Sequence, residues 1–128
     1  MSRLRVFNGV DIVSISDMGK LIAAGGAYFL ESTWTAHERE YSVGRSDRLA
    51  TRWAAKEAVI KALGRGIGSI DPIDIEVRSI EGVAPSLILR KSAKSAASLL
   101  GICDWSLSMS HQGDLAIATA SALGETND

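Results

Sequence analysis

The chain opens on alternating apolar positions. Leu4, Val6, Val10, Ile12 and Val13 are mostly β-branched and predict a strand over residues 3–15, with Asn8-Gly9 as the natural place for a bulge. A short amphipathic helix follows, with Ser16 as its N-cap and Gly25-Gly26 as its stop. Thr35 and Glu38 have capping-box spacing, which predicts another short helix in TAHERE. The strongest helical period comes next. Leu49, Trp53, Ile60 and Leu63 recur at helical spacing, Ser46 can cap the start, Asp47 suits the positive end of the dipole, and Gly64 ends the run. Ala50, Ala54, Ala55, Ala58 and Ala62 keep this helix slender, so another backbone can approach it closely. Two β-like runs, 73–80 and 86–90, are joined by EGVAP, and KSAKSAASLLG forms a short amphipathic helix ending at Gly101. DWSLSMSH and LAIATASAL then read as a closing hairpin around Gln112-Gly113-Asp114. The order β-α-α-α-β-β-α-β-β predicts one α+β domain over residues 1–123, a mostly antiparallel sheet packed with a long helix and shorter ones. Residues 124–128, GETND, read as a loose tail.

Composition narrows the function classes. A chain of 128 residues, 46% hydrophobic and 23% charged, can fold around one core. Its 14 basic and 15 acidic side chains leave a net charge of −1, which argues against a general nucleic-acid or anionic-membrane binder. A local basic pocket for one phosphorylated ligand remains compatible with that balance. Cys103 is the sole cysteine, so an intrachain disulfide and a cysteine-based metal cluster are excluded; its apolar setting predicts a buried, inert thiol. No apolar run approaches the roughly 20 residues that span a bilayer. MSRLRVFNGVDIV lacks a signal-peptide pattern, so the expected location is the cytoplasm.

Three places can carry chemistry. In RWAAKEAVIKALGRGIG, Glu57 and Lys61 share one helix face, either as an exposed ion pair or as functional groups. Arg52, Lys56 and Arg65 add cations around them, and Gly64, Gly66 and Gly68 expose backbone N–H groups that can approach phosphate oxygens. Asp11 interrupts an apolar strand, so it either faces solvent or has a cationic partner; a divalent cation shared with Glu57 would serve. In SLSMSH, Ser106, Ser108 and Ser110 share one strand face, and His111 lies on the other at the strand's end. No G-x-S-x-G elbow accompanies these serines, which argues against a serine hydrolase.

Together, GVDIV, RWAAKEAVIKALGRGIG and SLSMSH stand in the order and spacing of the 4'-phosphopantetheinyl transferases, and the chain resembles their short holo-[acyl-carrier-protein] synthase type from about Gly9 to Ala122. TAHERE, preceded by Trp34, fits the family's F-T-x-x-E segment, and DIEV, Gly82 and Pro85 echo its middle strands. The resemblance implies transfer of the phosphopantetheine arm of coenzyme A to a carrier-protein serine, with release of 3',5'-ADP. It implies Asp11 and Glu57 as ligands of Mg²⁺, Lys61 as the phosphate-contacting lysine, and Gly64, Gly66, Arg52, Ser110 and His111 around the cofactor. The base is open, with Glu38 as candidate and Glu57 as rival; His37 reads as a surface residue. The resemblance also implies a homotrimer with sites between subunits, for which the alanine-rich helix and the closing hairpin are the available packing surfaces.

One departure bears on the partner. Members acting on small acidic carriers usually have a basic first helix, whereas SISDMGKLIAAGGAYFLES has Lys20 as its only cation. Weaker electrostatic capture then points to a less acidic carrier domain, such as one embedded in a multifunctional fatty-acid or polyketide synthase. Two other classes compete: an inactive coenzyme A-binding subunit, which would release no 3',5'-ADP, and a helical nucleic-acid module, which the charge balance and Glu57 oppose.

Overall fold

The computed structural model describes residues 2–65 and 68–127. Along the chain lie β1 (Ser2–Ser14), α1 (Ile15–Thr33), α2 (Ala36–Tyr41), α3 (Ser46–Ala62), a 3-10 turn (Pro72–Asp74), β2 (Ile75–Ile80), β3 (Val83–Leu89), α4 (Lys91–Leu99), β4 (Ile102–Gln112) and β5 (Leu115–Asn127). The strands form two antiparallel sheets, β1-β5-β4 and the hairpin β2-β3. This is the α+β order that the apolar pattern predicts. Among the described residues no helix is long and apolar enough to cross a membrane.

The strand period explains how the long helix is seated. On the inner face of β5, Ala116, Ala118, Ala120 and Ala122 are all buried, opposite Val13, Asp11, Gly9 and Phe7 of β1. Across this floor of small side chains lies α3, whose Ala54, Ala55 and Ala58 are also buried. Small residues on both surfaces let the backbones close up, and Gly9 is where they meet: an added Cβ would lie 1.8 Å from the Ala58 carbonyl oxygen. Gly9 is therefore not a bulge. It pairs in unbroken register with Ala120.

Other local expectations shift. Ser14, not Ser16, caps α1, its hydroxyl accepting from Asp17 N; Ser16 instead donates to Asp114 in the β4–β5 turn. The helix passes Gly25, kinks at Gly26 (φ 62°, ψ −154°) and runs to Thr33. Its second half is held by packing, since Phe29 and Leu30 sit in a cluster with Met18, Trp34 and Trp53. The capping box at Thr35 and Glu38 forms as expected. Ser46 does not cap α3, because Arg45 occupies the N-cap position without a side-chain cap bond. Cys103 is exposed rather than buried, since the register between β4 and β5 shifts around it, between Ile102 and Asp104. The expected tail is strand, with 124–127 pairing with Ser2 to Arg5. The outer face of the same sheet stays uncovered and apolar, with Val6 69%, Val10 51% and Ile12 58% exposed beside Ile117 and Leu123.

Candidate active site

Asp11 lies on the inner face of β1, opposite Ala118, where α3 crosses the strand. It is 18% exposed, and its Oδ1 accepts from Lys61 Nζ at 3.0 Å, which also donates to the Val10 carbonyl at 2.9 Å. Lys61 thus reaches from its own helix to the neighbouring strand. Glu57, one turn earlier on α3, is half-buried and lines one cavity of about 550 Å³ with Asp11. Ile12, Val13, Trp53, Ile60, Ile70 and Pro72 form its apolar wall, and Gly68 and Asp71 complete the lining.

Burial raises the pKa of the Glu57 carboxyl above its ordinary value, the negative charge of Asp11 raises it further, and Lys61 opposes both. Two carboxylates converging on one cavity, with a single ammonium bonded to one of them, is an arrangement a hard divalent cation would relieve. One or two protein carboxylates, with further oxygens from water and phosphate, is how Mg²⁺ is ordinarily held. Among the described residues no group of three or more His, Cys, Asp or Glu gathers here.

A raised carboxyl pKa has a definite sign in stability. The ionised form is disfavoured in the folded state, so the fold loses stability as pH climbs from about 4.5 through the raised value. Glu57→Gln is expected to match the wild type near pH ~4 and to become the more stable protein as pH rises, in metal-free urea titrations. A stability difference that is flat with pH would show that the carboxyl carries no such burden.

A second recess, about 290 Å³, runs along the N-terminal half of α3. Arg48 and Arg52 line it from the helix, Arg45 from the N-cap position, Tyr41 from α2, and Ser110 and His111 from the end of β4. Both Arg48 and Arg52 place their guanidinium carbons over the Tyr41 ring, at 4.5 and 4.9 Å from its centroid. Arg52 is buried, donates to Thr51 Oγ1 and Ser79 Oγ, and keeps an unpartnered Nε. Arg45 grips Asp47 through two hydrogen bonds, which lower that carboxyl's pKa to about 2. This cluster can hold an anion such as a phosphate. Arg45 and Arg48 were not among the sequence candidates, although Arg48 and Arg52, four residues apart, share one helix face.

Two sequence expectations are corrected. Glu38 is fully buried: Oε1 accepts from Thr35 N and Lys56 Nζ, both at 2.8 Å, and Oε2 accepts from Val77 N at 2.8 Å. With its oxygens so occupied and no exposure, it is a structural carboxylate, not an accessible base. Lys56 likewise adds no cation to the site, because its ammonium is buried against Glu38 and its pKa is pulled down chiefly by burial. His37 is half-buried, with Nε2 accepting from Ser79 N. Gly64 ends α3 at φ 69° and is exposed; Gly66 lies outside the described residues. Trp53 and Asp71 join the cavity lining without any signal in the local pattern.

Comparison with known proteins adds independent findings. Residues 8–120 match the family model described as the 4'-phosphopantetheinyl transferase superfamily. The holo-[acyl-carrier-protein] synthase of Gloeobacter violaceus is 38% identical over 120 residues, covering 91% of both chains. The crystal structure of that enzyme from Neisseria meningitidis superposes with a TM-score of 0.80 at 30% identity, covering 91% of this chain and 96% of its own. The Helicobacter pylori enzyme, solved in complex with coenzyme A, gives 0.80 at 32% identity over 90% of this chain and 98% of its own.

Proposed function

The chain belongs to the 4'-phosphopantetheinyl transferase superfamily and is a transferase of the holo-[acyl-carrier-protein] synthase type, and from that premise we propose how its own residues perform the transfer. Coenzyme A binds with its diphosphate in the Asp11–Glu57 cavity and its remaining phosphate in the arginine recess beside His111 and Ser110. The serine hydroxyl of an apo-carrier attacks the β-phosphate, the bond to the nucleotide's phosphate oxygen breaks, and 3',5'-ADP leaves. The observation that carries this reading is the convergence of Asp11 and Glu57 on one cavity, with Lys61 bonded to the first.

Asp11 and Glu57 would hold Mg²⁺. Bound there, the cation would neutralise the diphosphate and favour in-line displacement. Lys61 supports the charge that gathers on the leaving phosphate. The serine proton passes to a carboxylate. Of the two acids named from the sequence, Glu57 lies in the cavity and Glu38 does not, which supports Glu57 in this role. Gly64 closes the helix beside the nucleotide without a side chain in the way.

The uncovered apolar face of β1 and β5 supports assembly as a homotrimer, with that face between subunits. The alanine-rich helix is not available for this, because its alanines are buried within their own subunit. The exposed side of α1 presents Leu21 and Tyr28 with Lys20 as its one cation, which supports a carrier of low acidity, such as a domain of a multifunctional synthase. The reaction takes place in the cytoplasm. Incubation with coenzyme A, Mg²⁺ and candidate apo-carriers, followed by mass spectrometry, is expected to show added phosphopantetheine. A rate weakly dependent on salt is expected on the embedded carrier domain; unmodified carriers throughout would overturn the reading.

A further inference from the structure

Lys56 stands one residue before Glu57 and has no exposure, yet nothing in the transfer chemistry uses it. A buried ammonium is costly unless it is fully partnered. Its partners are Glu38 Oε1 at 2.8 Å, the Pro72 carbonyl at 3.0 Å and the Ile75 carbonyl. Pro72 lines the cavity that holds Asp11 and Glu57, with Asp71 before it. The opposite end of the ion pair is as firmly tied, since Glu38 accepts from Thr35 N on one side and Val77 N on the other.

These bonds fasten three separate pieces of chain to α3: the start of α2, the 3-10 turn and β2. Other hydrogen bonds of 71–74 close the turn on itself, Asp74 N donating to the Asp71 carbonyl, or run to Arg90 and Ser92 at the start of α4. The lysine is therefore a polar link between the helix that carries Glu57 and the 71–75 wall of the cavity. A buried ion pair is often no better for stability than apolar residues of equal volume, so its geometry is the more informative property.

We propose that Lys56 is a positioning residue: through the Pro72 and Ile75 carbonyls it sets the separation between α3 and the 71–75 wall, and so the fit of coenzyme A. The kinetic half of this inference rests on the transferase reading above; the dynamic half does not.

Two variants separate it from a general structural role. Glu38→Gln keeps the lysine's bonds to both carbonyls, whereas Lys56→Met removes them and keeps the aliphatic stem. Lys56→Met is expected to raise KM for coenzyme A about tenfold or more while kcat stays within about threefold. Hydrogen exchange of amides 73–77 should quicken about tenfold relative to β4 and β5. Glu38→Gln should keep KM within about threefold of wild type. A Lys56→Met enzyme with wild-type KM or unchanged exchange would overturn the proposal, as would an equal rise in KM for Glu38→Gln. Should Lys56→Met fail to fold, Lys56→Gln is read by the same two measurements. A wild type that modifies no carrier would refute the transferase reading, and the exchange comparison would still decide the positioning role.

Discussion

Glu57→Gln is expected to lower the transfer rate about a thousandfold or more, equivalent to roughly 4 kcal/mol of lost transition-state stabilisation. The amide keeps the size and the helix propensity of the glutamate, so the fold should survive, and relief of the buried charge should make it more stable at neutral pH. That opposition makes the experiment informative. An ordinary destabilising substitution would lose both activity and stability, whereas this one should lose only activity. Asp11→Asn should cost a similar factor, and in addition it weakens the anchor that holds Lys61 against β1. Mass spectrometry of the carrier at saturating coenzyme A reads the rate. Mg²⁺ should raise the melting temperature of the wild type and leave that of Glu57→Gln unmoved. Near-normal turnover in either variant would remove the two-carboxylate account.

The largest effect on stability is expected at Gly9. Its φ is not in the left-handed region, so alanine meets no backbone strain there; the obstacle is space. A Cβ would fall 1.8 Å from the Ala58 carbonyl oxygen and 2.8 Å from the Ala62 nitrogen, both backbone atoms that cannot rotate away. Strand and helix must separate, and the alanine floor beneath them loses contact along its length. Gly9→Ala should therefore cost about 3 kcal/mol or more, above the usual range for one excess methyl group. Urea unfolding measures this directly. Activity in the surviving folded fraction should fall as well, because the same contact holds Asp11 of β1 near Glu57 of α3. A loss below about 1 kcal/mol would mean that α3 can move off the strand freely.

Much of this could be read along the chain. Element order, the capping box at Thr35, the closing hairpin and the long helix all follow from short-range periodicities that reflect how a backbone alternates or winds. That Glu57 and Lys61 lie on one helix face was legible for the same reason, since helical spacing states which residues share a face. Where local signals compete with packing they misled. Gly25-Gly26 looks like a helix stop, yet burial of Phe29 and Leu30 among Trp34 and Trp53 carries α1 onward through a kink. A cysteine among apolar neighbours looks buried, yet a register shift leaves it outside.

Periodicity says which side chains lie together on an element and is silent about what stands opposite them. That Lys61 crosses to Asp11, and that Lys56 turns inward to Glu38 and two carbonyls, depends on how α3 is laid across β1 and β2. The burial of Glu38 depends on it too, and with it the loss of the sequence's first choice of base. Those contacts join residues 16 to 50 positions apart, and their geometry depends on how closely helix and sheet approach. The amino-acid order thus specified the parts and the candidate groups, while the partner each group meets came from the docking of helix on sheet, because that docking depends on shape across the whole interface.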